Sequence, residues 1–316
     1  MSSAPCIPEV VITTEHRRFA EFCDACRRYA YIGVCYGPPG VGKTLSARYY
    51  ANWHRIEAYA PYRGTSDAEL DALLGSQTVF YTPKVVNSPR QIEQDIQGWR
   101  NRLRAIPLEA LRREEEGPLE RARQQDEANK HAFFMQTIYP LYAPPAESLA
   151  KPPSMVVQVV KTYSQKREEM PEPTTLLLID ETDRLKTAGL EQVRDIFDQG
   201  GIGVVLIGMP GLEKRLSRYA QLYSRVGFVH EFRPLSAEGV RDLLKRQWVP
   251  TGVKLPEAGL HDDDVLASII RITGGNFRLL HRLLTQVARL VEINALAQVT
   301  REVVEAARES LVIGAA

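Results

Sequence analysis

The octamer "GPPGVGKT", Gly37 to Thr44, stands between the apolar run "YIGVCY" and the helical stretch "KTLSARYYANWHRIEAY". Strand, glycine-rich turn and helix in this order constrain the fold more than any other feature of the chain. Such a turn gathers backbone N–H groups around one anion, and the helix that follows points its positive end at the same spot. On this reading Gly37, Pro38, Pro39, Gly40, Val41, Gly42, Lys43, Thr44 and Leu45 form a phosphate cradle. Lys43 would reach the β- and γ-phosphates, and the Thr44 hydroxyl would hold Mg²⁺.

A loop of this kind needs a parallel sheet behind it, and the pattern downstream provides one. Leu176 to Ile179 are four consecutive apolar residues that end in Asp180-Glu181, which suits a central strand covered on both faces. "TVFYTP" at 78–83, "GIGVVLIGMP" at 201–210 and "GFVHEF" at 227–232 supply further strands. Five strands separated by helices predict a doubly wound α/β sheet. In residues 15–30, Phe19, Phe22, Cys23, Cys26 and Tyr29 recur one helical turn apart, and "SPRQIEQDIQGWRNRLRAI" starts a helix at Ser88-Pro89. Beyond Pro234 the strands stop. Four helical patterns follow, with Ser236, Asp262, Asn276 and Thr300 at cap positions. The predicted organisation is an α/β domain over 1–234 and a helical lid over 235–316. Residues 101–153, charged and then broken by prolines, read as an insertion or mobile arm.

Asp180 ends its strand where a phosphate-bound Mg²⁺ would be completed, and Glu181 beside it can polarise a water. The competing reading is that "DETDR" only opens a helix, where acidic residues are favoured. Charge developing on a γ-phosphate calls for an opposing cation, usually donated by a neighbouring subunit. Arg215, Arg218 and Arg225 are available, and Arg225, just before a strand, is the first choice. In "TGGNFRLLHRLL", Gly274-Gly275 end one helix, Asn276 caps the next and Arg278 falls in its first turn. A cation there is opposed by the helix dipole and calls for an anion such as phosphate; otherwise it is an arginine lying over the surface.

Composition narrows the partners. Lys and Arg number 40 against 39 Asp and Glu, so nucleic acid would have to meet a local basic surface. No apolar run approaches the length of a membrane span and no signal peptide is visible, so the sequence predicts a cytoplasmic protein without a membrane partner. Cys6, Cys23, Cys26 and Cys35 include the metal-like spacing "CDAC" but no second close pair, so they read as reduced, half-buried thiols rather than a zinc site.

Together "GPPGVGKT", "LLLIDETDRL", an arginine before the strand that follows "VVLIG", and "GGNFR" resemble the AAA+ ATPases. The stretch "IDETDRLKTAGLEQVRDIFDQGGIGVVLIGMPGLEKRL" is most similar to the TnsC, TniB and MuB group, ATPase partners of DDE transposases. The resemblance covers about 1–100 and 154–316. It implies Lys43 and Thr44 as Walker A, Asp180 and Glu181 as Walker B, Arg225 as the arginine finger and Arg278 as sensor 2. The polar sensor 1 residue would fall at Met209, which implies another water-orienting group or slow hydrolysis.

The resemblance further implies ATP and Mg²⁺ as cofactors and a homo-oligomer, ring or helical filament, on duplex DNA. A transposase and a target-selecting protein would be its partners in a bacterial, nucleoid-associated setting. DNA phosphates would be met by Lys84, with Arg90 nearby, and less strongly by Lys186. Arg278, Arg282 and Arg289 form a basic stripe opposite Leu279, Leu283 and Leu290, either a DNA contact or a solvated face. The alternatives are a nucleotide-switched scaffold or signalling protein and an origin-initiator type AAA+ ATPase.

Overall fold

The computed structural model describes residues 11–60, 65–138 and 153–311, apart from 247, 251, 257, 259 and 261. Cys6 and the stretch 139–152, which holds most of the proline-broken segment, lie outside the described residues. The chain divides into two compact units, Met1–Glu57 with Gln77–Gln97 and Thr174–Ala316, and Ala58–Ser76 with Gly98–Pro173.

The first unit opens with α1 (Thr14–Tyr29), capped by the Thr13 hydroxyl, which accepts from His16 N at 3.1 Å. Phe19, Phe22, Cys23 and Cys26 form its buried face as their spacing predicts, whereas Tyr29, at the helix end, is exposed. Next come β1 (Ile32–Tyr36), α2 (Lys43–Tyr50) and α3 (Trp53–Ala58). In chain order α4 (Asp67–Asp71), β2 (Thr78–Tyr81), α5 (Pro89–Ile138), α6 (Met155–Glu169) and β3 (Leu176–Ile179) follow. A 3₁₀ turn over Thr182–Arg184 leads to α7 (Thr187–Gly200), β4 (Gly203–Gly208), α8 (Leu212–Leu216), α9 (Ala220–Tyr223) and β5 (Val226–Glu231).

All five strands belong to one sheet in the order β2-β3-β4-β1-β5, and every pairing is parallel. β3 and β4 are buried throughout and β1 over all but its last residue, as continuous apolar runs require when helices cover both faces. β5, at the edge, alternates between exposed and half-buried residues. Because β4 lies between β3 and β1, with Ile179 opposite Leu206 and Tyr36 opposite Gly208, the segments after all three strands leave the same end of the sheet. Parallel sheets place their ligands at that carboxyl end.

Beyond Pro234, in the same compact unit as the sheet, come the helices expected to form a lid, α10 (Ala237–Lys245), α11 (Asp263–Thr273), α12 (Phe277–Ile293) and α13 (Arg301–Glu309). Ser236, Asp262, Asn276 and Thr300 cap them as expected, each side chain accepting from a first-turn amide. Their core gathers Leu243, Ile269, Leu280, Leu284, Val287 and Val304. Along α12 the buried face runs through Leu280, Leu283, Leu284, Val287 and Val291, so Leu279 and Leu290 flank it rather than define it.

The second unit holds α4, α6 and all of α5 beyond Gln97. The sequence suggests a helix ending near Ile106 and a separate charged segment; instead α5 is one helix of 50 residues that runs through Pro107 and Pro118. Proline removes a helical hydrogen bond, and here the loss is offset by burial of Leu103, Ile106 and Leu111. The buried Glu109 adds to this by accepting from Arg112 at 2.8 Å and Arg113 at 3.2 Å. Among the described residues no helix is long and apolar enough to cross a membrane.

Burial also sets the state of several titratable groups between α1 and the sheet. Cys23, Cys26 and Cys35 are unbridged and buried, and desolvation pushes the Cys26 thiol up to about 12, so these thiols are poor nucleophiles. His230 stacks on Phe22 at 5.3 Å among Phe19 and Phe232. Burial lowers its pKa, with Arg18 and Arg233 acting in the same sense and Glu15 and Glu231 opposing. The native imidazole is therefore neutral where the unfolded one, with a pKa of about 6.5, begins to bind a proton. Stability is full above that value and is lost as pH falls towards the lower native pKa. Chemical denaturation between about pH 7 and 5 should show a smaller loss of stability in His230→Phe than in the natural chain.

Candidate functional site

The phosphate loop is shaped by two glycines in the left-handed region, Gly40 at φ 82° and Gly42 at φ 106°, the latter acting as N-cap of α2. A Cβ at Gly40 would stand 2.6 Å from Asn276 Oδ1 and 2.8 Å from Arg278 Cβ, so the start of α12 rests directly on the loop. Two hydrogen bonds fix this approach. Arg278 N donates to Gly40 O at 3.0 Å and Asn276 Nδ2 donates to Pro39 O at 2.8 Å.

Lys43 is buried at the start of α2, where Nζ donates to Gly37 O at 2.5 Å and Pro38 O at 2.8 Å. Burial lowers its pKa, and the negative charges of Asp180 and Asp183 act against that. Asp180 is buried at the end of β3, and its own N–H is tied to Tyr81 O at 2.8 Å. Its carboxylate accepts from the Thr44 hydroxyl and, at 2.9 Å, from Glu181 N. Burial raises the Asp180 pKa, and both of these bonds oppose the rise. A hydroxyl and a carboxylate in contact beside a phosphate loop are oxygen donors of the kind Mg²⁺ takes, so these residues fit the ion.

Glu181 follows in a left-handed conformation, φ 47° and ψ 43°, and its side chain is paired with Arg184. "DETDR" thus forms a 3₁₀ turn and not the start of a regular helix. At the end of β4, where a polar sensor would stand, the Met209 side chain is apolar and 40% exposed. Asp183 brings polarity to this point, with Oδ2 accepting from Met209 N at 2.8 Å.

Lys43, Thr44, Asp180, Glu181, Asp183 and Arg184 line one side of a cavity of about 990 Å³, together with Pro39, Gly40, Gly42, Leu45 and Met209. The lid side carries Trp248, Phe277, Arg278, His281 and Arg282. Gly37, Pro38 and Val41 belong to the loop but do not line the cavity.

Arg225 does not line it either. Its guanidinium forms a fork with Asp198 of α7 at 2.5 and 2.7 Å and also donates to Gln221 O. Arg215 is spent on the carbonyls of Asp183 and Leu185, and Arg218 is exposed. Lys84 lies 3.8 Å from Asp95, while Arg90 and Lys186, the latter the N-cap of α7, are exposed.

Asp183, Arg184, Trp248, His281 and the cavity-facing role of Arg282 are not read from the sequence. The spacing of Arg278, His281 and Arg282 puts them on one helix face, but only the docked lid tells which way that face looks. For Asp183 and Arg184 the signal is weaker, because a 3₁₀ turn projects charges differently from the helix that "DETDR" suggests. Lys43→Ala should weaken binding of a fluorescent ATP analogue by about ten- to a hundredfold, the loss of one charged hydrogen-bonding group, with the far-UV circular dichroism unchanged.

Residues 26–216 match the AAA domain family. A Staphylococcus aureus protein named "Potential ATP-binding protein" is 39% identical over 305 residues, covering 96% of either chain. Among solved structures, the Thermotoga maritima RuvB Holliday junction branch migration motor aligns with a TM-score of 0.50 at 14% identity, over 94% of this chain and 68% of that one. The Aeropyrum pernix ORC2 protein aligns with a TM-score of 0.50 at 13% identity, over 98% and 70%. This chain spans 65% to 71% of the length of the solved structures it matches, and at such identities the likeness is one of fold. A family match over more than half of the chain, laid on a cavity built from Lys43, Thr44 and Asp180, makes the chain a member of the AAA domain family with the AAA+ ATPase fold.

Proposed function

We propose that the chain is a Mg²⁺-dependent ATPase that oligomerises on duplex DNA and regulates target-site selection for a DDE transposase. The observation that carries this reading is an asymmetry. Walker-type residues and Arg278 converge on one cavity, whereas Arg225 lies outside it in a pair with Asp198. A catalytic arginine for such a site comes from a second copy.

In the proposed reaction Lys43 and the loop amides hold the phosphates, and Thr44 and Asp180 would hold Mg²⁺, which when bound would supply positive charge against that of the phosphates. Glu181 accepts a proton from water as its oxygen attacks the γ-phosphorus and the bond to the ADP oxygen breaks. Arg225 of the neighbouring copy meets the charge that develops. The unpolar Met209 at the sensor position favours slow turnover, which suits a regulator more than a motor. Lys84, Arg90 and Lys186, all exposed on segments after strands or at a helix start, are proposed to meet DNA phosphates without reading bases. The link to transposition is supported by the resemblance of 179–216 to the TnsC, TniB and MuB group.

Turnover per protomer should rise with protein concentration and again when duplex DNA is added. Arg225→Ala should lower it by about 10³-fold with ATP binding intact, and Glu181→Gln should trap a DNA-bound assembly visible by light scattering. Normal ATP binding with no change in scattering on adding DNA would instead support a nucleotide-switched scaffold.

A further inference from the structure

The turn that follows β3 carries a further carboxylate to the end of β4. Thr182, buried in the turn, donates from its hydroxyl to Ile179 O at 3.0 Å. From α8, Arg215 donates from Nη1 to Asp183 O at 3.1 Å and from Nη2 to Leu185 O. Tied in this way from two sides, the turn fixes where Asp183 leaves the backbone, and Oδ2 accepts from Met209 N at 2.8 Å. Gly208 makes room for that bond, since a Cβ there would stand 2.6 Å from the same oxygen. The other oxygen, Oδ1, has no hydrogen-bond partner among the described residues, and Asp183 lines the cavity with Lys43, Asp180, Glu181 and Met209. The negative charges of Asp180 and Asp183 both act on the Lys43 ammonium.

We propose that Asp183 is a catalytic residue for ATP hydrolysis, its Oδ1 accepting a hydrogen bond from the attacking water in place of a polar side chain at position 209. The Met209 thioether is a weak acceptor with no proton to give, so it cannot hold a water itself. Water has two protons to place. One passes to Glu181 as the oxygen attacks the γ-phosphorus and the bond to the ADP oxygen breaks, leaving ADP and inorganic phosphate. The other stays on the oxygen and is held by Asp183, which sets the direction of the attacking lone pair. A carboxylate accepts hydrogen bonds but gives none, so Asp183 orients the water without donating to the γ-phosphate oxygens. An amide at position 209 would do both, and turnover is slow for want of the second. This inference rests on the ATPase reading above and is independent of DNA and of transposition.

Two measurements test the assignment, steady-state hydrolysis with Mg²⁺ and the affinity for ADP with aluminium fluoride, a mimic of the phosphoryl group in transit. Asp183→Asn keeps the bond from Met209 N, because the amide oxygen takes the place of Oδ2, but it turns a donor to the water where an acceptor stood. Its kcat should fall about ten- to a hundredfold with KM for ATP little changed. Affinity for ADP with aluminium fluoride should fall by a similar factor while a fluorescent ATP analogue binds as before. Adding Met209→Asn to this variant should restore most of kcat. An Asp183 that only braces the end of β4 would leave kcat and both affinities unchanged in Asp183→Asn, which overturns the assignment. A loss of affinity shared equally by the ATP analogue also overturns it, as does a failure of Met209→Asn to restore turnover. If the natural chain binds ATP without hydrolysing it, the ATPase reading fails and the assignment with it; a natural chain and an Asp183→Asn variant that are equally active overturn the assignment alone.

Discussion

The start of α12 grips the phosphate loop through backbone and side chain, Arg278 N on Gly40 O and Asn276 Nδ2 on Pro39 O. Nearly everything of functional interest depends on that grip. It requires glycine at position 40, since a Cβ there would run into Asn276 and Arg278. It also aims Arg278, His281 and Arg282 into the space above Lys43. A nucleotide in the loop would therefore meet sheet and lid at once. On the proposed function, the position of α12 and the nucleotide state would be linked variables, to the extent that the ligand binds one position better than another.

Electrostatics inside the cavity are held ready for an anion and a cation. Lys43 and Asp180 are both buried, and burial disfavours the charged form of each. The arrangement persists because carbonyls of Gly37 and Pro38 satisfy the lysine, and Thr44 and the Glu181 amide satisfy the carboxylate. On the proposed function, phosphate oxygens and Mg²⁺ would take the place of these partners. Around this centre the groups that would complete catalysis are engaged elsewhere, Glu181 with Arg184 and Arg225 with Asp198.

Much of this was legible in the sequence because it rests on local rules. Strand, glycine turn and helix fix the loop, the apolar run before Asp180 fixes a central strand, and Ser236, Asp262, Asn276 and Thr300 each cap a lid helix as their side-chain chemistry favours. What escaped depends on tertiary placement. Nothing in "GLEQVRDIFDQGG" marks Asp198 as the holder of Arg225, because the two lie far apart along the chain. Pro107 and Pro118 suggest a break that α5 does not make, since burial of Leu103, Ile106 and Leu111 outweighs the lost hydrogen bonds. The turn of Arg184 towards Pro83 follows from the 3₁₀ geometry after Asp180, which charge pattern alone does not specify.

Mixing two inactive variants tests most directly whether one site is shared between two copies. Lys43→Ala retains Arg225, and Arg225→Ala retains Lys43, so a mixed oligomer contains interfaces at which both are present. If each site is built from two chains, the equimolar mixture should recover about a quarter of natural turnover although each variant alone is inactive. A mixture as inactive as its components, under conditions where the two variants co-assemble, would contradict the shared site and leave a chain that binds nucleotide alone.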